Sequence, residues 1–284
     1  MVFSDHIRAC NNHDPGKYIP FVIDGQTVGW VRPDFARQIA RWHEVMELQP
    51  GLLRLATPPG EVEARSRPLA GVLGEMAAQG LMSPLLGELF PVTPDERDRQ
   101  MLLIDRAAVP FFGVRAFGQH INAFVRDGDG IRIWVARRAA DRIRFPGKLD
   151  QLVAGGLPWK ISLEKNLVKE CWEEAGIPEN MALGAVFTGT VTYVAETDKG
   201  LKPDTIYCYD LELPGDFEPV CTDGEVEEFY LWSLERVIKT VRDTDEFKLN
   251  CNLVIIDFLI RHGYIGADEE EFKDLVTGLH PELP

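Results

Sequence analysis

Between Gly155 and Ile177 the chain reads GGLPWKISLEKNLVKECWEEAGI, and no other stretch constrains the fold as tightly. A Gly-Gly pair leads into one helix's worth of residues that ends in Glu-x-x-Glu-Glu-x-Gly. Glu170, Glu173 and Glu174 stand at i, i+3 and i+4. On a helix these carboxylates share one face, close enough to share a cation. Carboxylate oxygens favour a hard cation, Mg²⁺ or Mn²⁺, over zinc. A magnesium site that keeps open positions suits phosphate chemistry. Ser162 predicts the N-cap and Gly176 the C′ stop. Leu163, Leu167, Val168, Cys171, Trp172 and Ala175 project as one apolar arc, with the glutamates beside it. Solvated helices rich in Glu are common. The Gly-Gly pair at fixed distance and the terminal Glu-Glu-x-Gly set this one apart.

Residues 18–32, YIPFVIDGQTVGWVR, predict a hairpin around Asp24-Gly25, with Pro33 ending its second strand. ARQIARWHEVMEL (36–48) predicts an amphipathic helix. Turns follow at Pro50-Gly51 and Pro58-Pro59-Gly60. A glycine-containing helix is expected over 69–81, then a short element of unassigned type in ERDRQMLLIDRAAVPFFG. The texture changes near Gly113. QHINAFVRD and GIRIWVARRA predict strands joined at Gly128-Asp129-Gly130, and LDQLVAGG a short strand entering the Gly-Gly loop. After the motif helix come two long β-rich runs, ALGAVFTGTVTYVAET and DTIYCYDLEL. A strand, EEFYLWSL, and helices in LERVIKTVRD and LNCNLVIIDFLIRHGY complete the chain. This order predicts an α+β core with helices packed on a sheet.

The 284 residues can form one large or two modest cores, and their net charge of -15 argues against a nucleic-acid partner. A phosphorylated small molecule remains compatible, because local arginines and a bound cation can reverse the field at one site. The five cysteines are odd in number and form no C-x-x-C, so reduced thiols in the cytoplasm are expected. No signal peptide and no membrane span are expected. The sequence does not fix the oligomeric state, and a homodimer is compatible with it.

The 155–177 stretch resembles the Nudix box, G-x5-E-x7-R-E-U-x-E-E-x-G-U with U aliphatic. Gly155 takes the opening glycine, Glu170 the Glu of the Arg-Glu pair, Glu173 and Glu174 the Glu-Glu pair, and Ile177 the last aliphatic position. Three positions depart: Ile161 for the first Glu, Lys169 for Arg, and Cys171 for an aliphatic residue. In the family that Glu and Arg can support the loop and helix electrostatically. The resemblance implies a Nudix α/β/α sandwich over 116–284. YIPFVIDGQTVGWVRP, GVRAFGQHINAFV and the divergent box also resemble the thiamin-pyrophosphokinase-related Nudix subfamily. That implies a smaller N-terminal α+β domain over 1–115.

The resemblance implies a Mg²⁺-dependent (or Mn²⁺-dependent) pyrophosphohydrolase acting on a small-molecule diphosphate. Its subfamily implies thiamin diphosphate or oxidised analogues, cleaved to monophosphate and phosphate. A nucleotide such as ADP-ribose, a dinucleotide or an oxidised nucleoside diphosphate would satisfy the same metal site. A Nudix-fold module that only binds its ligand is the third reading, favoured by Ile161 and Lys169 and opposed by retention of all three glutamates. Glu170, Glu173 and Glu174 are the expected catalytic and metal-ligating residues, with the Gly155 carbonyl as a further ligand. Glu170 is the candidate base, with Glu225 or Glu227 in DGEVEEF as a distal alternative, both on one side of a strand by alternation. Arg137, Arg138, Arg144 and Lys148 are the candidate phosphate contacts, since Arg suits bidentate phosphate binding. Trp159, Trp30 and Phe145 are candidates for stacking, with core packing the rival role for Trp30. His120 reads as a structural hydrogen-bonding residue. No P-loop is present, so kinase chemistry is not expected.

Overall fold

The computed structural model describes residues 2–128, 130–142 and 144–284. The helix α1 (Phe3–Cys10) precedes a hairpin of β1 (Ile19–Ile23) and β2 (Gln26–Val31). Asp24 and Gly25 have φ of 48° and 79°, the left-handed pair that a two-residue hairpin turn requires. Next come α2 (Pro33–Ile39), β3 (Met46–Gln49), β4 (Leu52–Leu55) and α3 (Val62–Ala78). The first four strands make a sheet in the order β2-β1-β4-β3, with β1 and β4 parallel. A second hairpin, β5 (Leu89–Val92) and β6 (Leu102–Asp105), and the short helix α4 (Val109–Phe112) complete this unit. Its core gathers Phe21, Phe35, Leu53, Leu69, Met76 and Phe112.

The single helix expected over 36–48 is not formed. It stops at Ile39, and Met46–Gln49 pairs antiparallel with Leu52–Leu55. MELQ and LLRL alternate about Pro50-Gly51, and a buried hairpin wins over a helical period that fits the same letters.

The second unit runs β7 (Ala116–Asp127), β8 (Gly130–Arg138), β9 (Leu149–Gln151), β10 (Val153–Gly156), α5 (Leu163–Ala175), α6 (Glu179–Ala182), β11 (Val186–Glu196), β12 (Leu201–Glu212) and β13 (Val226–Ser233). It ends with α7 (Leu234–Asp243), α8 (Leu249–Arg261) and α9 (Phe272–Gly278). The main sheet is ordered β11-β12-β7-β8-β13, with β12 and β7 parallel and the other neighbours antiparallel. The turn expected at Gly128-Asp129-Gly130 falls in part on Asp129, outside the described residues. LDQLVAGG is two strands rather than one. The chain bends at Leu152, so β9 pairs with β8 while β10 pairs with β7.

Side chains alternate across this sheet. Ile121, Ala123, Val125, Tyr209 and Leu211 face Leu167, Cys171 and Ala175 of α5. Phe124, Ile133, Val191, Ile206 and Cys208 face the opposite layer, built from α7, α8 and α9. The result is a helix–sheet–helix sandwich beside a smaller α+β unit. The first helix crosses between them: Ile7 and Cys10 pack in the core of the second unit, and His6 bonds the Val241 carbonyl at 2.5 Å.

Candidate active site

The motif helix begins and ends where its sequence predicts. Ser162 Oγ accepts from the Lys165 amide at 3.2 Å, and Gly176 takes the left-handed C-cap with φ 63°. Its buried face is rotated from the expected arc. Asn166, Leu167, Glu170, Cys171, Glu174 and Ala175 point inward, whereas Trp172 is 55% exposed. Two carboxylates are therefore turned into the protein, and β10 is shaped to receive them. The Ala154 amide donates to Glu174 Oε2 at 2.7 Å. Glu170 lies against the bare Cα of Gly155, where a Cβ would come within 2.3 Å of its Cδ. The Gly155 carbonyl in turn faces Gly118, where an added Cβ would approach it to 3.2 Å.

These carboxylates are costly to ionise without a cation. Burial, with Asp150 and Glu170 as nearby like charges, pushes the Glu174 carboxyl up to about 8. Burial also raises Glu170, against the pull of Lys169 and with help from Glu173 and Glu225. The Lys169 ammonium bridges Glu170 and Glu173 at 2.9 and 2.8 Å and offsets part of their charge, and the oxygens of Glu170, Glu173 and Glu174 do not all gather within 4.8 Å of one another. Oxygen donors, mutual repulsion and a side-chain-free approach at Gly155 together fit a hard divalent cation.

Glu225 approaches Glu170 closely enough to raise its carboxyl, and it pairs with Arg142 at 2.7 Å. Glu225 precedes β13, and the β13–β8 register shifts between Val226 and Glu228, which interrupts simple alternation across Glu225 and Glu227. Bulges of this kind re-aim side chains at strand ends. Arg137 donates to Tyr230 Oη and the Gly147 carbonyl, Arg138 to Asp150, and Lys148 to Asp245. Arg144 side-chain nitrogens make no hydrogen bond or ion pair among the described residues. Trp159 is half-buried in the loop after Gly156, with the Lys160 ammonium 4.2 Å over its ring. Trp30 packs with Tyr18, Val194 and Leu201, as core packing requires, and Phe145 lies exposed with φ 52°.

Three groupings were not assembled from the sequence, although His120 reads there as a structural hydrogen-bonding residue. One is a buried cluster, His120, Asp150 and Cys251, whose ligand atoms lie within 4.8 Å of one another. Lys248 and Arg138 already neutralise Asp150 at 2.9 and 3.0 Å, and the Cys251 thiol donates to it at 2.8 Å. His120 is held neutral, its pKa lowered by burial to about 4, and bonds Gln151 at 2.8 Å. With its charge balanced, this cluster braces β9 against α8. A second is a pin on the motif loop: the Asn166 side chain donates to the Gly156 carbonyl at 3.0 Å and to Gln119 at 2.7 Å. The third is a cleft of ≈ 590 Å³ between the two units, reaching Leu163 at the start of α5. Phe117 and Tyr207 supply its aromatic walls, and Asp95, Glu96 and Asp98 its acidic rim. Asn166, Gly156 and Leu163 lie in the motif itself, but most of their partners come from distant segments, so spacing carried no signal of these contacts.

A family model described as "NUDIX domain" matches residues 116–250, and one described as "Domain of unknown function (DUF4743)" matches residues 2–116. Nudix hydrolase 20, chloroplastic, of Arabidopsis thaliana is 39% identical over 289 residues, covering 98% of this chain and 77% of that protein. Nudix hydrolase 24, chloroplastic, of the same plant is 39% identical over 282 residues, with coverages of 98% and 77%. The solved NUDIX domain of Shewanella oneidensis NrtR, complexed with ADP ribose, aligns at 14% identity and a TM-score of 0.42, over 53% of this chain and 90% of that one. Among the described residues no helix is long and apolar enough to cross a membrane.

Proposed function

The chain belongs to the Nudix hydrolase family and is a Nudix-type pyrophosphohydrolase, and on that premise we propose that its substrate is thiamin diphosphate or an oxidised analogue of it. The family acts on nucleoside diphosphates linked to a further moiety and uses divalent metal ions. The narrower reading rests on the cleft at Leu163. Tyr207, partly exposed and backed by the buried Phe117, offers a face to a planar heteroaromatic ring. Asp95 on the rim is paired with Arg99, which leaves Glu96 and Asp98 facing two guanidiniums, Arg97 and Arg115, that both spend N–H groups on backbone carbonyls. That balance suits a cationic thiazolium, or an aminopyrimidine that donates from its exocyclic amine. Leu163 and Glu170 are seven residues apart, about 10 Å along a helix at 1.5 Å per residue. A thiamin-sized body in the cleft would therefore bring its diphosphate to the carboxylates.

In this reading Glu170, Glu173, Glu174 and the Gly155 carbonyl hold the Mg²⁺ or Mn²⁺. When bound, that ion neutralises charge developing on the phosphate oxygens. Glu170 accepts the proton of the attacking water, because burial has raised its affinity for protons and it lies against Gly155. Glu225 is the alternative acceptor. The water oxygen joins the terminal phosphorus as the bridging P–O bond breaks, giving monophosphate and phosphate. Arg144, the uncommitted member of the basic segment, is the first phosphate contact to test among Arg137, Arg138, Arg144 and Lys148. The proposed division of the chain is 1–115 and 116–284, with α1 packing across it. The five free cysteines, four of them buried, support a reducing compartment such as the cytoplasm.

The test is turnover by the full chain with Mg²⁺, offering thiamin diphosphate, an oxidised analogue and ADP-ribose at equal concentration, with phosphate and monophosphate both measured. A thiamin-type diphosphate should be preferred in kcat/KM by at least about tenfold, on the scale of one specific recognition contact. Asp98→Asn should narrow that preference. A preference for ADP-ribose would move the assignment to a nucleotide substrate. Binding without formation of a monophosphate from any of the three would move it to a ligand-binding module.

A further inference from the structure

The motif loop between Gly156 and Ser162 lacks the acidic residue that the box pattern carries, since Ile161 stands there. Arg97, on the segment after β5, donates from Nη2 to the Pro158 carbonyl at 2.6 Å and to the Ile161 carbonyl at 2.7 Å. One nitrogen with two N–H bonds thus clamps both ends of the loop's second half. Two further contacts from the same unit flank it: the Trp159 amide donates to the Leu89 carbonyl at 2.8 Å, and Lys160 pairs with Glu63. Lys160 has φ 67°, a left-handed conformation that a side chain tolerates only where its surroundings over-determine it.

Arg97 is itself held in place. Thr93 Oγ1 donates to the Glu96 carbonyl at 2.5 Å, and Arg115 donates to the Asp95 carbonyl at 2.6 Å. The guanidinium is half-desolvated, which lowers its proton affinity but leaves it charged at any working pH. The other half of the loop is pinned from within the sandwich by Asn166 and by the Leu157 amide, which bonds the Phe117 carbonyl at 2.9 Å.

We propose that Arg97 is a positioning residue supplied by the N-terminal unit: it fixes the motif loop, and through it the Gly155–Glu170 approach, in place of the missing acidic residue at position 161. The role of the N-terminal unit is then to complete the catalytic loop as well as to wall the cleft. The proposal rests on the 155–174 site being the catalytic one. It does not depend on which diphosphate is the substrate, because the loop serves the phosphate end.

The test compares wild type, Arg97→Ala and Arg97→Lys in the full chain by amide hydrogen exchange, Mn²⁺ affinity and turnover. In Arg97→Ala the Trp159 amide should exchange at least about tenfold faster, while amides in β7 and β12 keep their protection. Mn²⁺ affinity and kcat should each fall by about tenfold or more, the latter by a similar factor for every diphosphate that is cleaved. Arg97→Lys, which keeps the charge and can reach one carbonyl, should fall between. If the alanine variant does not fold, the lysine variant carries the same comparison. Unchanged Trp159 exchange, or unchanged Mn²⁺ affinity, would overturn the proposal. A loss confined to KM for one substrate would also overturn it, by making Arg97 a ring contact instead. A wrong substrate assignment would leave the exchange and Mn²⁺ results intact.

Discussion

Turnover of the Glu174→Gln chain at saturating Mg²⁺ falls by at least about two orders of magnitude, the scale of a lost electrostatic element in a catalytic site. Glutamine keeps the shape, and its carbonyl oxygen still accepts the Ala154 amide that now bonds Glu174 at 2.7 Å. What it removes is one negative charge from a group that burial and its like-charged neighbours have raised to about 8. A residue kept for packing would tolerate this change, and metal-free stability should even improve. The sign follows from proton uptake. The ordinary carboxyl value is 4.5, so between about 4.5 and about 8 the folded protein holds a proton that the unfolded chain has released. Metal-free wild type therefore loses stability as pH rises through that window, and part of this slope vanishes in Glu174→Gln. Glu170, raised in the same direction, leaves a residual slope. Near-normal turnover in a folded Glu174→Gln protein would remove the carboxylate cluster from the mechanism.

Gly155→Ala carries the second large effect, and it acts through space instead of charge. The new Cβ would lie 2.3 Å from Glu170 Cδ and 2.6 Å from its Cγ and Oε2. No real Cβ tolerates such contacts, so Glu170 must leave its position against β10. Overpacking costs stability of about 1–3 kcal/mol, which a protein of ordinary stability survives. Activity should fall about a hundredfold or more, because the displaced carboxylate is the proposed base and a proposed metal ligand at once. Paired melting and phosphate-release measurements on the variant check this. Full activity in Gly155→Ala would mean that Glu170 works from some other position.

The local parts of this site were legible in the sequence because they are written at helical and turn spacing. Ser162, Gly176 and the i, i+3, i+4 carboxylates each depend on a few neighbouring residues, as did the Asp24-Gly25 hairpin. Where two periods fit the same letters, the tertiary partner decided. WHEVMELQPGLLRL supports a helix or a hairpin, and the hairpin won by joining β1 in a four-stranded sheet. The inward face of α5 was misjudged from hydrophobicity alone, since a bare glycine opposite Glu170 and an amide opposite Glu174 make room for carboxylates that Trp172 lacks. Contacts between distant segments left no local trace. Arg97 reaches carbonyls 61 and 64 residues away, and carbonyl acceptors have no sequence identity to detect. The same holds for α1, whose packing against α8 leaves no local signal in residues 3–10.

The most direct measurement strips the wild-type chain of divalent ions with a chelator, removes the chelator, and follows phosphate release from a thiamin-type diphosphate as Mg²⁺ is added back. Saturable recovery from no detectable turnover, with the same titration flat in a folded Glu170→Gln chain, is the predicted result. Turnover in the stripped chain, or recovery of the Glu170→Gln chain to the wild-type level, would contradict a cation-dependent hydrolysis carried by these carboxylates.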